Sequence, residues 1–79
     1  MGKMVFPKRE IVEKIRKQYP AGTRVVLDHM EDQYRDMPTG LEGTVRSVDD
    51  TGTIFVSWDN GSGLGIVYGE DSCHKKEEQ

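Results

Sequence analysis

After Pro20 the sequence is cut into short β-favouring runs, none longer than seven residues, by turn residues at close intervals. The runs cover residues 23–29, 43–49, 53–58 and 64–68, and a short last one is expected at 73–75. Their connections carry turn chemistry. Asp50, Thr51 and Gly52 form a tight hairpin with glycine where a positive φ is needed, and Asp59, Asn60 and Gly61 contain Asn-Gly, the strongest short-range hairpin signal. Five short strands in fewer than 60 residues cannot build a two-sheet sandwich of ordinary size, but they can close into a small barrel.

Alternation decides which side chains fill that barrel. Placing the heavier set inward gives a core of Val25, Leu27, Leu41, Val45, Ile54, Val56, Trp58, Leu64 and Ile66. Val26, Phe55, Val67 and, on one phasing, Val48 then face outward, an apolar patch that a small protein does not normally leave open. The residues before Pro20 offer a cover. Ile11, Val12, Ile15 and Tyr19 recur at helical spacing, Pro7 suits a first helical position, and Tyr19 before Pro20 sets the helix end near Gln18. A helix this short is marginal alone in water, so its apolar stripe needs a surface. The expected organisation is a helical extension over residues 1–20, a barrel over 21–76 and a disordered tail at 77–79. Docking of the helix on the outward patch is the simplest arrangement, and a homodimer interface is the other occupant.

Charge divides at the same place. Of 11 basic and 14 acidic residues, six basic and two acidic precede Ala21, so a helix of net +4 precedes a barrel of net −7, within a chain of net −3. The overall balance argues against a strongly basic nucleic-acid binder, and 34% hydrophobic residues argue against disorder. No apolar run approaches a membrane span of roughly 18 residues, and none at the start resembles a signal-peptide core, so a cytoplasmic protein with no membrane association is expected. Cys73 is the single cysteine, so no intramolecular disulfide forms.

Several stretches resemble a small bacterial family of unknown function that also occurs in phages and integrating mobile elements: YPAGTRVVLDHM, MPTGLEGTV, FVSWDNGSGLG and YGED, between Tyr19 and Asp71. A looser likeness is to SH3-like barrels of the KOW and Mind-bomb kind, in which a Gly-x-Val strand start and a V-x-W-D-x-G strand end recur. The resemblance implies a mainly β chain with a five-stranded SH3-like barrel and one N-terminal amphipathic helix. It hands over no catalytic or binding residues.

The chemistry-bearing residues point to a non-catalytic module. Asp28, Glu31, Asp32 and Asp36 lie near His29, the minimum for acid–base work, but no nucleophile motif or phosphate loop accompanies them. Cys73 and His74 are adjacent on a strand, so their side chains point to opposite faces and chelate poorly; no metal or cofactor is expected. The polar loop at residues 30–40 is long for a compact domain and acidic. With the 59–63 turn it offers a surface for a protein partner, Asp32, Asp36 and Asp59 steering by charge and Tyr34, Met37 and Tyr68 giving contact area. Nucleic acid is the alternative ligand, through Lys8, Arg9, Lys14 and Lys17 on the basic helix, as KOW-type barrels contact RNA. A monomer or weak homodimer is expected.

Overall fold

The computed structural model describes residues 8–30 and 37–77. The expectations for Pro7 and for the tail at 78–79 lie outside them. Helix α1 spans Arg9–Gln18, and the backbone carbonyl of Lys8 accepts its first hydrogen bonds, from the N–H groups of Ile11 and Val12. Glu10 in the first turn and Arg16 and Lys17 in the last match the helix dipole. The helix stops where Pro20 forces it to: Tyr19 leaves the helical region at φ −124° and ψ 64°, while its N–H still reaches Ile15 O.

Five strands follow, β1 at Arg24–His29, β2 at Glu42–Val48, β3 at Ile54–Trp58, β4 at Gly65–Ile66 and β5 at Ser72–Lys75. They form a single antiparallel sheet in the order β4-β3-β2-β1-β5. Strands β1 to β4 are a meander, and β5 returns to the free side of β1. No ladder joins β4 to β5 among the described residues, so the sheet has two edges.

The β2–β3 hairpin turns as its residues require. Gly52 takes φ 83°, and Asp49 Oδ1 accepts from the N–H and hydroxyl of Thr51 and from Thr53 N–H. Gly43 matters for space: a Cβ there would lie 2.5 Å from Val56 Cγ1 and 2.8 Å from Trp58 Cε3. Its bare backbone lets those two side chains close over β2.

One face of the sheet carries the core, Val25, Leu27, Val45, Val48, Ile54, Val56, Trp58 and Ile66. Leu41 and Leu64 pack against it while half-buried. The indole N–H of Trp58 is satisfied by Leu64 O at 2.8 Å. Val48 corrects the outward phasing. Val45 opposes Val56 but Ser47 opposes Phe55, so Arg46 is an extra residue, and this bulge turns Val48 inward opposite Ile54.

The helix also sits elsewhere than on the outward patch. Val12 is buried at 4% exposure, Ile15 and Tyr19 pack on the core cluster, and α1 lies against β2. Arg16 donates to Val48 O from Nε and Nη2, pinning α1 at the end of β2. Phe55 remains 39% exposed, lying over Gly65, while Val26 and Val67 are half-buried. An open sheet leaves the margin of its apolar face unsealed. The helix stripe gains more by sealing that margin than by covering an outer face crossed by charged residues.

Candidate functional site

Two surfaces carry chemistry. The first is a groove of about 320 Å³ between the C-terminal end of α1 and the two sheet edges. Ile54 and Ile66, paired across β3 and β4, contribute to its lining, together with Ile15 and Tyr19 of α1 and Cys73 of β5. Tyr68 stands on its rim at 38% exposure. Burial pushes the Tyr19 hydroxyl above its ordinary pKa, with smaller contributions from Cys73 and Asp28. The same order of causes, burial and then Asp28, raises the Cys73 thiol to about 11, so it is held as the unreactive thiol at neutral pH. Lys75 places its ammonium 5.7 Å from the centre of the Tyr19 ring, within cation–π range.

The second surface is the outer face of the sheet. Arg24 grips Asp59 with both terminal nitrogens, at 2.6 and 3.0 Å, and donates to Thr44 Oγ1 at 2.8 Å. Glu42 Oε1 accepts from Lys76 at 2.7 Å and from Arg24 at 3.4 Å. Arg24 Nη1 and Nη2 hold the Asp59 carboxyl below its ordinary value, and the Lys76 hydrogen bond, with Arg24 behind it, does the same for Glu42. His74 Nδ1 lies 2.8 Å from Asp28 Oδ1 on this face, while Cys73 faces the core. The two residues therefore do not converge on one point.

The expected contact residues separate. Met37 is half-buried against the core, 3.8 Å by its sulfur from the Asn60 side-chain nitrogen, so the end of the 30–40 loop does meet the 59–63 turn. Asp59 is there too, but its carboxylate is engaged by Arg24. Tyr68 lies elsewhere. It follows Ile66, which pairs with Ile54 at the start of β3, whereas Asp59 and Asn60 follow the end of β3. Asp32, Tyr34 and Asp36 lie outside the described residues.

The basic helix does not present one cationic face. Lys8, Arg9, Lys14 and Lys17 are all exposed. At about 100° per residue, Arg9, Lys17 and Lys14 spread over about 140° of the helix surface, and Glu10 and Glu13 fall inside that arc. Arg16 is occupied by Val48 O and Asp50.

The sequence did not single out the groove or the Arg24 pairing. The available signals were Arg24 and Asp59 at strand ends and the helical phase shared by Ile15 and Tyr19, but only the sheet order brings them together. No helix among the described residues is long and apolar enough to cross a membrane. No curated protein and no solved structure matches the chain. A family described as a domain of unknown function matches residues 8–76, which takes in the helix and all five strands. The chain belongs to that family, DUF4314.

Proposed function

We propose that this domain is a non-catalytic binding module whose ligand is another protein, built on an SH3-like barrel. The barrel reading draws support from the strand order, with β5 returned beside β1, and from the two bulges at Asp28 and Arg46 that bend the sheet. Its edges also curl towards each other. Met30, just past β1, lines one cavity with Leu64, Gly65 and Val67, and Cys73 of β5 packs on the cluster containing Ile66 of β4.

The observation that carries the binding reading is Tyr68, a large aromatic held open on the rim of an apolar groove where a helix meets two sheet edges. Tyrosine gives contact area at low entropic cost and is enriched where partners bind. The acidic 30–40 loop and the 59–63 turn, joined at Met37 and Asn60, form a second contact region that steers a partner by charge.

A photo-cross-linking residue at position 68, introduced in the source cell, is expected to capture a protein. Capture of nucleic acid alone would overturn the reading. Titration with a single-stranded oligonucleotide at low salt is the complementary measurement. Silence at residues 8–18 is expected, whereas salt-sensitive shifts there that vanish in Lys14→Glu/Lys17→Glu would make nucleic acid the ligand.

A further inference from the structure

We propose that β5 is a docking edge, to which an extended segment of a partner protein adds as a sixth strand, placing a carboxylate at Lys75 and an apolar side chain in the groove beside Cys73. The inference rests on the protein-binding reading and names the geometry of that contact.

The free edge is set by the ladder. Lys76 N–H donates to Arg24 O, and His74 opposes Val26, so His74 and Lys76 use their backbone groups on β1. In an antiparallel pair bonding sides alternate, so the N–H and C=O of Cys73 and Lys75 point the other way. The β1 ladder agrees: Leu27, opposite Cys73, spends its own backbone groups on Leu41 and Gly40, towards β2. β5 ends the sheet, and no strand among the described residues takes the groups on its outer side. Unpaired strand edges of this kind accept another strand, backbone bonds giving affinity and side-chain pockets giving selectivity.

The pocket lies beside that edge. Cys73 lines the groove, and its floor of Ile54 and Ile66 is apolar. An added strand sends alternate side chains to that face, so one apolar residue enters the groove while a residue two positions away meets Lys75.

Charge selects the occupant. His74 is paired with Asp28 and Lys76 with Glu42. Lys75 has no carboxylate within ion-pair distance among the described residues and lies against Tyr19 instead. A second copy of this chain is the poorer occupant: paired antiparallel about Cys73 it would set its Asp71 opposite Lys75, and Asp71 already accepts from the N–H of Val67 through Oδ2. A strand carrying glutamate or aspartate two residues from an aliphatic side chain satisfies both features.

The test uses the full chain, 15N-labelled, and an eight-residue peptide alternating threonine with glutamate, isoleucine, valine and isoleucine. The expected result is hydrogen exchange slowed about tenfold or more at the amides of Cys73 and Lys75, with those of His74 and Lys76 little changed. Lys75→Glu should transfer the preference to the peptide in which lysine replaces glutamate. Shifts confined to the surroundings of Met37 and Asn60 would overturn edge docking and leave the binding module standing. No shifts with either peptide would also overturn it, and the protein-binding reading would fall as well only if position 68 captured no protein. Slowing at Cys73 that grows with concentration of the chain alone would overturn it in favour of self-pairing.

Discussion

Arg16 donates to the carbonyl oxygen of Val48 from two guanidinium nitrogens, at 3.2 and 3.1 Å, across 32 residues of sequence. The contact ties the last turn of the helix to the end of a strand whose final side chain is turned into the core. It explains why Arg16 does not behave as part of a solvated basic face. Its third hydrogen bond, to Asp50, reaches a fully exposed carboxylate and is the minor part of the arrangement.

Arg16→Ala should therefore lower stability by about 1–2 kcal/mol, through a lost pair of charge-assisted bonds and a carbonyl left short of a partner. Asp50→Ala should change it by less than about 0.5 kcal/mol, as expected of an exposed ion pair. Urea denaturation of the two variants compares them directly, and equal losses would mean the salt bridge, not the carbonyl contact, holds the helix.

Gly43 and Gly63 make a second contrast. A methyl group on Gly43 meets Val56, Trp58 and the carbonyl of Ser57 at 2.5–2.9 Å, whereas nothing lies within 4 Å of one on Gly63. Gly43→Ala should cost about 1–3 kcal/mol, or roughly 5–20 °C in melting temperature. Gly63→Ala should leave the melting temperature within a few degrees of the parent, about what surface substitutions allow. Thermal unfolding followed by Trp58 fluorescence reads both, and a Gly43→Ala protein as stable as the parent would contradict the packing described for β2 and β3.

The outer network makes stability depend on pH in a stated direction. Asp59 and Glu42 are held below ordinary values of 3.8 and 4.5, chiefly by hydrogen bonds from Arg24 and Lys76 respectively. Carboxyls depressed in the folded state contribute stability that is complete above the unfolded values and is lost as pH falls through the folded ones. The melting temperature should stay level from neutral pH down to about 5 and fall below about 4.5. Arg24→Met should be less stable at neutral pH and show a shallower acid limb. Acid limbs of equal steepness in the two proteins would remove the network from the explanation.

Much of the fold is legible in the residues, and the failures have local causes. The hairpin glycines, the helix end at Gln18 and the inward set of Val25, Leu27, Val45, Ile54, Val56, Trp58 and Ile66 follow from turn chemistry and alternation. Val48 points inward and not outward because a bulge at Arg46 adds one residue, which periodicity alone cannot count. The β-favouring run at 64–68 pairs only at Gly65 and Ile66, because Val67 N–H turns to the Asp71 carboxylate. The helix covers the open margin and not the outer patch, since alternation reports which side chains leave the core, while sheet order decides where the core lies open. Met37 and Asp59 fall at one end of the β3 hairpin and Tyr68 at the other, a separation that proximity in sequence conceals.

The pairing of β1 with β5 joins residues fifty positions apart, Val25 with Lys75. A chain leaving the ribosome can close the β1–β4 meander early, from local hairpins, yet its first strand keeps an empty flank until almost the last residue of the domain has been made. Premature termination a few codons before Lys75 would thus yield a chain with nearly all of its apolar core and a bare strand at its margin, a better substrate for proteases and chaperones than for assembly.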